Sequence, residues 1–169
     1  MAAENSPEPV PAEQSILITR VFDARRELVF KTWTEPDRLK RWWGPKGFTA
    51  PVCKVDLRPG GAYHNCMRSP EGKDYWSTGV YREVVVPERI VCTDCFADAQ
   101  GNPAPATQYG MSAEWPMEAL ITVTFEEAAG KTKLTLCHSI GPAPTDEIEM
   151  CRQGWSESFD KLAEVLAKA

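Results

Sequence analysis

The chain has 169 residues, which suits one domain able to bury roughly 70% of its unfolded surface, so the core needs no disulfide or metal. Its 19 Lys and Arg against 24 Asp and Glu give a net charge of −5, which argues against nucleic acid as a partner because phosphate binding requires a concentrated basic surface. No apolar run approaches the ~20 residues that cross a bilayer, and the N-terminus lacks a secretory signal, so we expect a cytoplasmic protein with free thiols and no membrane span.

The N-terminal part of the chain divides into a tail, a strand and two short helices. Residues 1–14 are rich in Pro and Glu and cannot form a core, which predicts a disordered tail ahead of a single domain over 15–169. The run 15–23 is β-branched and apolar, as in a strand. Helical spacing of apolar residues predicts one short helix over 25–33 and a second that begins at Pro36, where proline is favoured.

After these helices the apolar spacing changes from helical to alternating. Alternating runs separated by Gly- and Pro-containing turns predict an antiparallel meander. The predicted strands are 48–57, 62–68, 75–86, 89–96, 120–127 and 131–139. Residues 97–117 interrupt the meander as a long loop, and its Tyr109, Met111 and Trp115 favour a packed lid over a disordered segment.

The last element is a long amphipathic helix with Thr145 as its expected N-cap. Its apolar stripe is spaced by three or four residues and consists of Ile148, Cys151, Trp155, Phe159, Leu162 and Leu166. Gly154 lies beside the stripe, and because a glycine inside a helix costs about 1 kcal/mol relative to alanine, we expect it to make room for a close neighbour. This helix is the only element long enough to cover a curved antiparallel sheet, so the fold class is α+β.

Several short motifs resemble those of one known family. They are Thr19-Arg20-Val21-Phe22-Asp23-Ala24, Trp33-Thr34-Glu35-Pro36, Arg41-Trp42-Trp43-Gly44-Pro45, Asp56-Leu57-Arg58-Pro59-Gly60-Gly61, Gly79-Val80-Tyr81-Arg82-Glu83 and Gly154-Trp155. With this element order, the chain from about Ile16 to Leu166 resembles the activator of heat-shock protein 90 ATPase homologue-like family of the START-like helix-grip superfamily. The resemblance implies a curved antiparallel sheet of about seven strands around a long C-terminal helix, with two short helices after the first strand.

The resemblance says less about function than about fold. The superfamily shares a cavity between sheet and helix, and its members include lipid carriers, polyketide cyclases, stress-related ligand binders and a co-chaperone domain. It therefore implies a protein that binds a hydrophobic small molecule. Two alternatives stay open: an enzyme of the cyclase, dehydratase or hydrolase type in the same cavity, or a chaperone-binding module. The sequence also leaves homodimerisation open.

Alternation along the strands indicates which side chains would face the helix. It places Tyr63, Asn65 and Met67 on one face of the third strand, and Tyr81 and Glu83 on one face of the fourth. An apolar lining with a few polar anchors is typical of a small-molecule site. The expected cavity-lining residues are Trp43, Tyr63, Met67, Tyr81, Trp115, His138, Cys151, Trp155 and Phe159.

Few residues suggest chemistry beyond binding. His138 faces inward as a packed core residue, a ligand anchor or a general base, with Glu83 as a second acid or base. His64, the other histidine, faces outward, so we expect no histidine metal site and no cofactor. Cys92 and Cys95 match C-x-x-C, but their odd separation within a strand directs them to opposite faces, which argues against a redox pair. No standard catalytic motif occurs, so no catalytic residue is assigned.

Overall fold

The computed structural model describes residues 15–169. Its elements are β1 (Ser15–Phe22), α1 (Arg26–Thr34), α2 (Pro36–Leu39), β2 (Thr49–Val55), β3 (Ala62–Arg68), β4 (Asp74–Val85), β5 (Arg89–Ala97), β6 (Ala119–Ala128), β7 (Lys131–Ser139) and α3 (Thr145–Ala167). The strands form one antiparallel sheet in the order β1-β7-β6-β5-β4-β3-β2. This sheet curls around α3, so the predicted helix-grip α+β fold is confirmed. The tail predicted at 1–14 lies outside the described residues.

The two edge strands of the sheet are fixed in different ways. β1 pairs along its whole length with β7, from Ser15 opposite Ser139 to Phe22 opposite Thr132. β2 carries Pro51 at the other edge, where a missing backbone N–H costs no ladder hydrogen bond, and a bulge interrupts its pairing there. The sheet is therefore continuous from its first strand to its last, and its concave face is available to α3.

Polar contacts tie α3 to β1 and to the connection between α2 and β2. On β1, Arg20 donates a 3.1 Å hydrogen bond to the Ser156 carbonyl and lies 2.9 Å from an Asp160 carboxylate oxygen. On the opposite side, the Lys161 ammonium donates to the carbonyl oxygens of Gly44, Pro45 and Phe48 at 3.1, 3.3 and 3.0 Å. These contacts fix the position of the helix across the concave face.

The start of α3 differs from the sequence expectation. Pro144 occupies the N-cap position and Thr145 is already inside the helix, so the predicted Thr145 cap is wrong by one residue. Proline ends the preceding loop with a fixed φ, and the first turn instead carries the acidic residues Asp146 and Glu147. Negative charge at this end of a helix stabilises it through the helix dipole.

Aromatic rings fill much of the space between α1, the sheet and α3. We call this set the aromatic cluster; it consists of Trp33, Trp42, Trp43, Phe125, Trp155 and Phe159. Trp33 is at its centre, with ring centroids 4.9 Å from Trp42 and 6.0 Å from Trp155. Trp42 is fully buried and its indole N–H donates to the Thr32 carbonyl at 2.9 Å. The predicted apolar stripe of α3 therefore packs into a dense core.

Candidate functional site

A chain of polar side chains crosses the concave face of the sheet and ends on α3. The Tyr63 hydroxyl on β3 donates to Asp94 Oδ1 on β5 at 2.7 Å. Asp94 Oδ2 lies 3.3 Å from His138 Nε2 on β7, and the Trp155 indole N–H on α3 donates to His138 Nδ1 at 3.1 Å. We call these four residues the polar strip. It brings together, across three strands and a helix, groups that are far apart in the sequence.

Small residues on the intervening strands make the polar strip possible. Gly79 is opposite Tyr63 on β4, and a Cβ there would lie 2.5 Å from Tyr63 Cε1 and 1.9 Å from the Thr93 carbonyl oxygen. The missing side chain lets the phenol ring lie across β4 and reach β5. On the next strand, Ala119 is opposite Asp94 and leaves the carboxylate room to approach β7.

The charge of Asp94 influences both of its neighbours in the polar strip. Burial, followed by the effect of Asp94, raises the pKa of Tyr63 well above its ordinary value, so the phenol stays protonated as a donor. For the buried His138, desolvation acts to lower the pKa, but Asp94 and Cys151 outweigh it and raise the pKa to about 10. Trp155 opposes this protonation, because a protonated Nδ1 cannot accept a hydrogen bond from the indole N–H. Asp94 thus favours the protonated, charged form of His138, whereas Trp155 favours the neutral form.

Two buried polar atoms of the concave face lack a hydrogen bond among the described residues. They are Asn65 Oδ1 and His138 Nε2; His138 Nε2 has the Asp94 carboxylate 3.3 Å away, whereas Asn65 Oδ1 has no hydrogen-bond donor. Asn65 points from the same face of β3 as Tyr63, two positions away, and only 3% of its surface is exposed. An unpaired buried polar atom costs roughly 1–3 kcal/mol. The Asn65 oxygen is therefore suited to a donor from outside the chain.

The long loop (98–118) covers one end of the concave face. The Tyr109 ring lies against Tyr75 and Phe96, with centroids 5.6 and 5.2 Å away. Further along, the Ser112 backbone N–H donates to both carboxylate oxygens of Glu147 in the first turn of α3, at 2.9 and 3.1 Å. The loop is thus attached both to the sheet and to the helix that covers it.

The structure does not bring all the predicted cavity-lining residues to one place. Four of them form or touch the polar strip: Tyr63, His138, Cys151 and Trp155. Tyr81 packs beside Tyr63 with ring centroids 5.9 Å apart. Trp43 and Phe159 belong to the aromatic cluster, where rings fill the space. Met67 lies under the Gly44 turn, and Trp115 packs partly buried against the core.

Sequence reasoning did not identify Asp94 as a site residue, and it placed Glu83 on the wrong face of the sheet. Asp94 was hidden inside the C-x-x-C pattern, although its alternation with Cys92 already placed it on the inward face. Glu83 was expected to face inward with Tyr81. A bulge between these two residues changes the register, so Glu83 is exposed and pairs with Arg89 at 3.3 Å on the outer surface. Glu83 is therefore no acid or base for this site.

Two pockets lie near the start of α1, away from the polar strip. One is lined by Arg26, Glu88, Arg89, Thr124, Phe125, Glu126 and Thr135, and the other by Arg25, Arg26, Glu27, Glu127, Gly130 and Lys131.

The His, Cys, Asp and Glu side chains of residues 15–169 include no group of three or more that could hold a metal ion. None of the helices in this range combines the length and the apolar character that a membrane span needs.

Solved structures from several bacteria share this fold. A Chromobacterium violaceum protein is 28% identical, with a TM-score of 0.75 over 90% of this chain and 96% of its own. A Mycobacterium smegmatis protein is 25% identical, with a TM-score of 0.74 and 91% of each chain covered. An Arthrobacter aurescens protein, 24% identical, shares the fold with a TM-score of 0.77 over 93% of this chain and 88% of its own. No curated protein matches the sequence.

The family model described as activator of Hsp90 ATPase homolog 1-like protein matches residues 23–167. This range runs from the end of β1 to the end of α3 and includes every residue of the polar strip and the aromatic cluster. The resemblance expected from the motifs is therefore confirmed, and the chain belongs to the activator of Hsp90 ATPase homolog 1-like family.

Proposed function

We propose that the protein binds a hydrophobic small molecule carrying a hydroxyl group, between α3 and the concave face of the sheet. The observation that carries this proposal is the buried amide oxygen of Asn65, which has no hydrogen-bond partner among the described residues. An amide oxygen only accepts a hydrogen bond, so its partner must be a donor. A hydroxyl group supplies that donor, and the apolar remainder of the ligand suits the aromatic side chains Tyr63 and Tyr81 nearby in the sheet.

The long loop would control entry. Its Ser112 amide is held by the buried Glu147 carboxylate at the start of α3. Releasing that contact would loosen the loop from the first turn of α3 without breaking the sheet. We place the protein in the cytosol, where its six free cysteines stay reduced.

The test compares decan-1-ol with decane as probes, followed by Trp fluorescence and by the melting temperature. Wild type is expected to bind the alcohol more tightly than the alkane. Asn65→Leu is expected to weaken alcohol binding about tenfold, which corresponds to ~1.4 kcal/mol for one lost hydrogen bond to a buried group. Thr122→Val, which removes a polar group from the outer face of β6, is the matched control and should bind as wild type does.

The same variant has a second expected effect without ligand. Replacing an unpaired buried amide by an apolar side chain of similar size should raise the free energy of unfolding by about 1 kcal/mol. Weaker binding together with higher stability would mean that Asn65 serves binding at a cost in stability. Absence of alcohol binding to wild type, or equal binding by Asn65→Leu, would refute the proposal.

A further inference from the structure

A thiol, an imidazole and a carboxylate lie in sequence beside α3. Cys151 Sγ is 3.9 Å from His138 Nδ1, and His138 Nε2 is 3.3 Å from Asp94 Oδ2. This is the order of nucleophile, proton carrier and positioning carboxylate that activates a thiol. Cys151 is partly exposed, whereas His138 is 3% exposed.

The other five cysteines differ from Cys151 in the environment of their thiols. Burial raises the pKa of Cys53 to about 12, and it raises the pKa values of Cys66 and Cys95 to about 11. Burial followed by the Asp94 charge raises the pKa of Cys92 further still. Such thiols are poor nucleophiles at neutral pH because the thiolate is the reactive form. Cys137 is partly exposed, and its Sγ lies 3.8 Å from the Ser139 hydroxyl.

Trp155 competes with Cys151 for the same nitrogen. The indole N–H donates to His138 Nδ1 at 3.1 Å, and the thiol lies 3.9 Å from that atom. A neutral imidazole nitrogen has one lone pair, so Nδ1 takes the thiol proton only when the indole N–H gives up its hydrogen bond. Trp155 should therefore restrain the reactivity of Cys151, an effect opposite to that of His138.

We infer that Cys151 is a nucleophile toward hydrophobic α,β-unsaturated ketones, with His138 as its proton carrier and Asp94 as the positioning residue of His138. In the addition, Sγ forms a bond to the β-carbon and the C=C π electrons move toward the α-carbon and carbonyl. The proton that Nδ1 takes from Sγ is delivered to the α-carbon, so no co-reactant is consumed. The reaction needs one nucleophile and one proton carrier, which this arrangement supplies, and the nearby aromatic cluster favours an apolar substrate.

This inference does not depend on the hydroxyl-ligand proposal, because its readout is covalent modification of one cysteine. The full-length protein is treated with non-3-en-2-one at pH 7, and the rate at each cysteine is followed by peptide mass spectrometry. In wild type, Cys151 should react at least tenfold faster than Cys137, the internal control. His138→Gln should lower the Cys151 rate to that of Cys137, without changing the rate at Cys137.

Two variants separate chemistry from packing. Trp155→Phe keeps an aromatic ring but removes the competing donor, so the Cys151 rate should rise severalfold. Asp94→Asn should move the midpoint of the rate-against-pH profile at Cys151 and leave the profile at Cys137 unchanged. A merely structural role for Asp94 would not shift that midpoint. The inference is wrong if Cys151 and Cys137 react at the same rate in wild type. It is also wrong if Cys151 reacts more slowly in folded Trp155→Phe than in wild type. Both outcomes can be read even where His138→Gln fails to fold.

Discussion

The aromatic cluster and the polar strip pack against the same stripe of α3, yet they satisfy their polar atoms differently. In the cluster, the indole N–H of Trp42 has a backbone acceptor at 2.9 Å. In and beside the strip, Asn65 Oδ1 and His138 Nε2 are buried without a hydrogen bond among the described residues. Trp155 belongs to both, since its ring stacks on Trp33 while its N–H serves His138. One region is built for stability, and the other keeps unpaired polar groups at a cost that binding or chemistry would offset.

The largest expected effect comes from emptying the aromatic cluster. Phe159 is fully buried, with ring centroids 6.2 Å from Phe22, 5.9 Å from Trp33 and 5.8 Å from Trp155. Phe159→Ala should lower the free energy of unfolding by about 3–5 kcal/mol, because neighbouring rings collapse only partly into the space. Urea denaturation measures this, with Phe159→Leu as the milder control. A loss below about 1 kcal/mol would mean that the aromatic cluster is loosely packed. It would then not be the region of the molecule that is built for stability.

The next effect concerns the charge of the polar strip. Asp94→Asn should cost about 2 kcal/mol near pH 6, because the carboxylate accepts from Tyr63 and faces His138. Part of this cost depends on pH. Since the pKa of His138 is raised from 6.5 to about 10 in the folded protein, its contribution to stability is full below about pH 6.5. The contribution is then lost as the pH rises toward 10.

Unfolding of wild type and Asp94→Asn at pH 6, 8 and 10 checks this expectation. The difference in free energy should be largest at pH 6 and should shrink toward pH 10. Asp98→Asn, which removes an exposed carboxylate in the long loop, is the control and should show no comparable change over this range. If this difference in the free energy of unfolding does not change with pH, the Trp155 hydrogen bond keeps His138 neutral over the whole range. Asp94 would then act without a charged partner.

Much of the fold was predictable because it depends on local patterns. Alternation gave the strands, and spacing of three or four residues gave α3, since these periods follow directly from backbone geometry. The pairing of β1 with β7 was not predicted, because the pattern of neither strand specifies a partner so far away in the sequence. Errors occurred at single positions, such as Thr145, where a neighbouring proline decided the cap.

The candidate site was less predictable because it is built from long-range contacts. Inward alternation was enough to select Tyr63 and His138. It failed at Glu83, because one bulge in β4 reverses the face of every later residue in the strand. Asp94 connects Tyr63 to His138 only because three features coincide. These are the absent side chain of Gly79, the registers in which β3 pairs with β4 and β5 pairs with β6, and the curl of the sheet. No local pattern carries that information.

The smallest expected effect lies at the boundary between the two regions, at Gly154 on α3. A Cβ at this position would lie 3.5 Å from Pro45 Cγ, an ordinary contact, so alanine fits. Gly154→Ala should raise the free energy of unfolding by about 0.5–1 kcal/mol through helix propensity and a less flexible unfolded chain. Thermal unfolding measures the gain, and Gly79→Ala, which has no such room, should instead destabilise. If Gly154→Ala stabilises the fold but slows the reaction of Cys151, the turn of helix beside the polar strip needs the flexibility that glycine gives. An unchanged rate would mean that this flexibility has no part in the reaction.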